Sequence, residues 1–316
     1  MANLDSNYSY SHTSHYVDLQ QFNNYVQGLL SSDKLDSKKK LSLEAFLKTD
    51  LYKEIQASSF WRHNIYNGGL SGPFTEYFAL FETTWKKDFW NKDIQNIDHV
   101  YLNEHALPLA YRSTILKTQK ILSEKVEELL NSGEQKIEIS SLACGTMYDA
   151  LGAKYKNSEK ITFSGFDVDQ ESLELAQEKA SILGYENQRI KLTKCNVVSS
   201  SLPENQYDIV VCNGFSFYID DESLLRVIEN VKKALKPNGV FLMSFIHPPT
   251  EWRLSDTEKK VGEVIQKIFD VFPMNWSANL RTDAQIRPLL EKGGFSDVSI
   301  LEEGHQIHPL LKATKK

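Results

Sequence analysis

Gly165-Phe166-Asp167-Val168-Asp169-Gln170-Glu171-Ser172-Leu173-Glu174-Leu175-Ala176 decides how the chain folds. The apolar run Ile161–Phe166 enters it as a strand. A carboxylate stands at the strand's end, and helical spacing then runs over Glu171–Leu183, with Asp169 or Gln170 as cap and Gly184 as stop. Outward from this unit the same alternation repeats. Ile137–Leu142 reads as a strand before it, and Ile190–Cys195, Ile209–Cys212 and Val240–Phe245 as strands after it. Glu222–Leu235 carries an apolar face through Leu224, Leu225, Ile228, Val231 and Ala234, and Pro237-Asn238-Gly239 stops it. A helix at Asp283–Lys292, with a kink expected at Pro288, and strands at Val298–Leu301 and Leu310–Ala313 complete the set. Strands alternating with helices imply an α/β fold: a mostly parallel sheet covered on both faces.

Before Asn131-Ser132-Gly133 the pattern is different. Val17–Leu30, Leu41–Leu51, Phe74–Phe89 and Leu107–Leu130 read as helices, and Asn67–Pro73 as a loop. The expected organisation is a flexible tail at 1–16, a helical cap domain at 17–131 and a cofactor-binding domain at 132–316. Phe74, Tyr77, Phe78, Phe81, Trp85, Phe89 and Trp90 recur at helical spacing, which suits a buried face or an apolar acceptor pocket.

Bulk composition narrows the function. The 316 residues are 41% apolar and 25% charged, with a net charge of −6. That acidity argues against a nucleic-acid partner. Cys144, Cys195 and Cys212 have the spacing of neither a zinc site nor a disulfide framework, so no metal is expected and a reducing, cytoplasmic setting is. No signal peptide or membrane-spanning run is evident. A homodimer is compatible with all of this.

In an open parallel sheet, ligands bind beyond the C-terminal strand ends. Strand one leads into Ser141-Leu142-Ala143-Cys144-Gly145-Thr146-Met147, and strand two ends at Asp167, 22 residues after Gly145. That is the distance expected of a carboxylate that binds ribose hydroxyls. Strand three ends in Cys195-Asn196-Val197 and strand four in Cys212-Asn213-Gly214-Phe215. A nicotinamide-dependent dehydrogenase needs G-x-G-x-x-G after strand one to hold a pyrophosphate, and Ala143–Tyr148 does not supply it.

The succession resembles the class I S-adenosylmethionine (SAM)-dependent methyltransferases over about residues 135–314. Gly165–Asp169 with Ser172–Ala176 is similar to that family's second strand and following helix. Tyr207–Gly214, Leu235–Val240 and Gly293-Gly294-Phe295 resemble later segments. In the first loop Gly145 matches a family glycine, while Ala143 and Met147 stand at the other two glycine positions and Ser141 at a usually acidic one. The resemblance implies a Rossmann-like seven-stranded sheet with an N-terminal helical extension, and SAM as cofactor. It implies cofactor contacts from Ala143, Cys144, Gly145, Thr146, Asp167, Val168, Asn196, Val197, Asn213, Gly214 and Phe215. Asp167 would take the ribose hydroxyls and Asn196 the adenine amino group. Tyr66-Asn67-Gly68, Tyr111-Arg112 and Ala143-Cys144-Gly145 are also similar to segments of bacterial enzymes that methylate 3-hydroxy fatty acids.

Methyl transfer from a sulfonium requires alignment and exclusion of water, and only a hydroxyl or amine acceptor needs a base. His247 after strand five, Tyr218 after strand four and Arg112 on the long helix are the candidate catalytic residues. A bland reading stands beside each: a turn-fixed histidine, a packing aromatic, a surface ion pair. The acceptor expected is a small molecule, a carboxylate or hydroxyl of an apolar metabolite. The alternative is a SAM-binding or partner-binding protein without catalysis.

Overall fold

The structure is a computed structural model, and it describes residues 16–69, 77–81, 86–88, 92–273 and 279–316. Seven strands form one sheet: β1 Ile137–Leu142, β2 Ile161–Asp167, β3 Ile190–Lys194, β4 Tyr207–Cys212, β5 Leu235–Ser244, β6 Asp297–Leu301 and β7 Leu310–Thr314. Their order is β3-β2-β1-β4-β5-β7-β6. The first five run parallel, and β7 is antiparallel to both β5 and β6. The chain builds outward from β1 through β2 to β3, then crosses back to lay β4 on the other side of β1. Strand order therefore reverses between β1 and β4, and in open parallel sheets ligands bind beyond the strand ends at such a reversal.

Successive side chains of β4 face opposite ways. Ile209 and Val211 join Ile139, Phe163 and Leu242 in one apolar layer, beneath Leu122 and Val126 of the Ala106–Asn131 helix and Leu173 and Ala176 of the Gln170–Ile182 helix. Val210 and Cys212 join Phe241 and Met243 in the other, beneath Leu224, Val227 and Ile228 of the Asp221–Ala234 helix and Ile286 and Leu290 of the Asp283–Lys292 helix. Burial on both faces explains the continuous apolar runs, each large side chain contributing about 1.5–3 kcal/mol. The Asp283–Lys292 helix runs on through Pro288.

One strand begins earlier than the sequence suggests. Pro237-Asn238-Gly239 does not precede β5 but lies inside it. The register jumps from Tyr207↔Leu235 to Ile209↔Val240, so the extra residues bulge outward, with Asn238 at φ 62°.

Among the described residues the chain divides into two compact units. One is drawn from within Met1–Leu109 and Leu254–Trp276, the other from Ala110–Arg253 and Ser277–Lys316. The expected boundary at 131/132 therefore moves to 109/110. The long helix belongs with the sheet from Ala110 onward because Leu122 and Val126 are part of the sheet's core. Conversely, the unexpected helix Asp256–Val271 joins the helical unit, burying Val261, Ile265 and Ile268.

The helical unit holds Leu19–Ser31, Ser37–Phe46, Asp50–Ala57, Ser59–Tyr66 and Asn96–Glu104. The single helix expected over Leu41–Leu51 is two helices. Thr49 ends the first by donating its hydroxyl to the Phe46 carbonyl, then caps the second by accepting from the Tyr52 N–H. Of the helix expected over Phe74–Phe89, residues 77–80 are helical, but Lys87 pairs with Asp93 in an antiparallel bridge. The side chain of Asp88, next to Lys87, accepts from the Lys92 N–H at 2.8 Å. Phe74, Trp85, Phe89 and Trp90, the Leu70–Pro73 part of the loop, and the tail up to residue 15 lie outside the described residues. Tyr77, Phe78 and Phe81 are buried; Phe78 packs with Phe60 and Tyr101, and Tyr77 with Phe60 and Phe81. Among the described residues, no helix is long and apolar enough to cross a membrane.

Candidate active site

The loop after β1 keeps a left-handed backbone at three places: Ala143 (φ 46°), Gly145 (φ 50°) and Met147 (φ 57°). Left-handed geometry costs a residue with a side chain about 1–2 kcal/mol. The loop therefore holds the shape of a glycine-rich turn at two positions without glycine. Packing supplies the compensation. Met147 is fully buried, and a Cβ placed on Gly165 of β2 would lie 3.2 Å from its sulfur and 3.0 Å from the Cys144 sulfur. The bare backbone of Gly165 makes room for Leu192, whose Cδ2 would lie 2.7 Å from that Cβ, as well as for the Cys144 and Met147 sulfurs.

Asp167 ties this loop to the second strand. Its Oδ2 accepts from the Gly145 N–H at 2.8 Å and its Oδ1 from the Asp169 N–H at 2.9 Å. The Cys144 N–H donates to the Phe166 carbonyl at 3.1 Å. Asp167 stays half-buried and Val168 is exposed. Asn196 is exposed, its side-chain oxygen accepting from the Val198 N–H, while Val197 is buried. Gly214 (φ 70°) donates its N–H to the Ser244 hydroxyl, and Tyr111 lies beside it. Thr146 is buried and Phe215 half-buried.

Asn213, at the end of β4, is held from two sides. Its Nδ2 donates to Asp149 Oδ2 at 3.1 Å and to Thr118 Oγ1 at 3.2 Å. Asp149 lies in the short helix Tyr148–Leu151 directly after the loop. Burial pushes its carboxyl up to about 6, against the hydrogen bonds from Asn213 and the Ala150 N–H. Neither Asp149 nor Thr118 was expected at the site, because spacing alone does not show that an acid is buried.

The candidate catalytic residues fall apart from one another in character. His247 is buried, and both ring nitrogens face acceptors: Nδ1 the Gln306 carbonyl at 3.1 Å, Nε2 Asp283 Oδ1 at 2.9 Å. This is the geometry of a histidine fixed in its turn. Tyr218 is 47% exposed and packs on Phe217 with ring centroids 4.3 Å apart. Arg112 is half-buried. The loop bearing Phe217 and Tyr218 is pinned by buried Arg281, which donates to Asp221 Oδ1 and to the carbonyls of Ser216 and Ile219, each at 2.8 Å.

A histidine not anticipated from the sequence stands nearby. His308 packs edge-on against Tyr111 at 5.2 Å and lies 6.3 Å from the Phe217 ring. Burial pushes its imidazole down to about 4, against the pull of Glu303. The unfolded chain takes up a proton there near pH 6.5, whereas the folded chain holds it off until about 4. Stability is therefore lost as pH falls between those values. His308→Phe should gain on the wild type by up to about 3 kcal/mol across that interval. Denaturant melts of both proteins at pH 7.5 and 4.5 measure the difference, and an unchanged difference would contradict the assignment.

The profile of the family described as "Methyltransferase domain" matches residues 134–310. No curated protein matches the chain significantly. Among solved structures, a possible exported protein from Bordetella parapertussis has a TM-score of 0.73 at 20% identity, covering 94% of this chain and 94% of its own. That likeness shows a shared fold. Magnesium protoporphyrin IX methyltransferase from Synechocystis PCC 6803 has a TM-score of 0.46 at 18% identity, over 69% of this chain and 91% of that one. A SAM-dependent methyltransferase from Methanosarcina mazei has a TM-score of 0.45 at 18% identity, over 59% and 96%. With more than half of its residues matched by the family profile, and with the sheet described above, the chain belongs to the methyltransferase domain family.

Proposed function

We propose that this methyltransferase uses SAM and methylates an oxygen of a small apolar acceptor, a carboxylate or a hydroxyl. The observation that carries the reading is Asp167, hydrogen-bonded to the left-handed first loop at the point where strand order reverses. A carboxylate has about four acceptor positions, and two are used inside the protein. Two remain for the ribose hydroxyls. Asn196 and Val197 border the adenine, with a lone pair of Asn196 Oδ1 free beside its bond to Val198. Ala143, Cys144, Gly145 and Thr146, with Asn213, line the amino acid end, and Gly214 and Phe215 the sulfur end. SAM supplies a methyl group already activated on a sulfonium, so these residues have to align it and exclude water.

Arg112 is the candidate for pairing with an acceptor carboxylate, which needs no base. Tyr218 is the exposed aromatic for the acceptor's apolar part. His247, with both nitrogens engaged, enters as a fixture of its loop. The helical unit, rich in buried aromatics, is assigned to acceptor recognition, since appended elements carry specificity on a shared scaffold. The three free thiols fit a cytoplasmic setting.

Calorimetry and thermal melts with SAM and its demethylated product, S-adenosylhomocysteine (SAH), test the core of this reading. A ligand at 100 times its Kd stabilises the native state by about 2.7 kcal/mol. A rise in melting temperature with measurable heat is the expected result. Absence of both at millimolar ligand would sink the cofactor assignment.

A further inference from the structure

The network around Asn213 leaves a gap of defined chemistry. Thr118 Oγ1 donates its hydrogen to the Thr114 carbonyl at 3.0 Å, so toward Asn213 it only accepts. Asp149, when ionised, only accepts. Both N–H bonds of the Asn213 amide are therefore consumed, one by Thr118 and one by Asp149. The amide has no freedom to flip, because its oxygen would then meet two acceptors. Asn213 Oδ1 is left closed off from water, with no hydrogen-bond partner among the described residues. Beside it the Asp149 carboxylate is 8% exposed and has no ion pair among the described residues. The titratable groups that feel its charge are Cys144 of the first loop, Cys212 of β4 and Tyr155, and burial raises the pKa of all three. They remain neutral and leave the carboxylate without a counter-charge. A buried acceptor without a donor costs about 1–3 kcal/mol, and a buried carboxylate without a cation costs more.

A ligand that brings a cationic group with several N–H bonds meets both needs at once. We propose that Asp149 and Asn213 form the seat for the α-ammonium of SAM, Asp149 supplying the counter-charge and Asn213 Oδ1 accepting a hydrogen bond. This rests on the cofactor reading given above and adds a residue to it. The carboxylate that the first loop lacks at Ser141 comes instead from Asp149, which follows the loop rather than preceding it. Asn213 then reads the cofactor's amino acid end with its oxygen while its nitrogen holds Asp149 and Thr118 in place.

Two ligands separate this role from a structural one. SAH carries the ammonium, and 5′-methylthioadenosine has the same nucleoside and sulfur but no amino acid end. Calorimetry on the full chain should show Asp149→Asn binding SAH about tenfold to a hundredfold more weakly, the span of one charged hydrogen bond, with methylthioadenosine affinity changed less than about threefold. A second measurement needs no variant. Since burial holds Asp149 near 6 in the free protein, lowering the pH from 7.5 to 5 protonates it and should weaken SAH by about tenfold. Methylthioadenosine should not follow. Equal losses for the two ligands, or no loss for SAH in either arm, would overturn the ammonium seat while leaving the cofactor site standing. If the wild type binds neither ligand, the cofactor reading itself falls. Should Asp149→Asn fail to fold, the pH comparison decides alone.

Discussion

Asp167→Ala is expected to weaken SAM and SAH by about 2–3 kcal/mol, roughly 30- to 150-fold, the scale of hydrogen bonds to a charged acceptor. The residue sits at the end of β2, half-buried, so its removal leaves no cavity in the core. It does release the Gly145 N–H, which now donates to Asp167 Oδ2. Part of the loss will therefore come from a loosened first loop rather than from the ribose contacts themselves. Asp167→Asn separates the two contributions. Its single side-chain oxygen can still accept from Gly145, but its amide nitrogen cannot accept a ribose hydroxyl. Calorimetry should place Asp167→Asn between wild type and Asp167→Ala. A folded Asp167→Ala with an unchanged dissociation constant would place the ribose elsewhere.

Most of the sheet was legible because its strands are buried on both faces and so are written as short apolar runs. Ile137–Leu142 is an example: all six residues are buried. The turns that carry the proposed cofactor residues were legible for the same reason, since Asp167 and Asn213 directly follow such runs. What escaped depends on contacts between distant segments. Asp149 is one residue in an unremarkable stretch, and only the approach of Asn213, 64 residues later, makes it a buried acid. His308 is marked out only by Tyr111, from a distant segment, packing against it. The Asp256–Val271 helix is a different case, because Ser255 and Glu258 form a capping box whose spacing is visible in the sequence. Its apolar positions, Val261, Ile265 and Ile268, follow at helical intervals. The bulge in β5 was misread because Pro237-Asn238-Gly239 is strong turn chemistry, and nothing local reveals that the strand has already begun at Leu235.

The glycine-poor first loop invites the view that the site has decayed, and the structure supports a different account of it. Met147→Gly would restore a family glycine at a left-handed position and relieve about 1–2 kcal/mol of backbone strain. Roughly half of that is returned through the greater freedom of glycine in the unfolded chain. Against the remainder stands the loss of a fully buried side chain packed over Gly165 and Cys144, and truncating a buried methionine typically costs about 2–5 kcal/mol. The net expectation is destabilisation by about 2–4 kcal/mol, read from urea melts. Ala143→Gly lacks the packing cost, because Ala143 is only half-buried and gives up one methyl group, so its stability should change by less than about 1 kcal/mol. The contrast between the two variants is the informative quantity. If Met147→Gly proves neutral or stabilising, the loop owes its shape to hydrogen bonds such as Asp167 to Gly145 alone. If it destabilises as expected, the left-handed backbone at Met147 is held by the burial of its side chain in the core rather than by glycine.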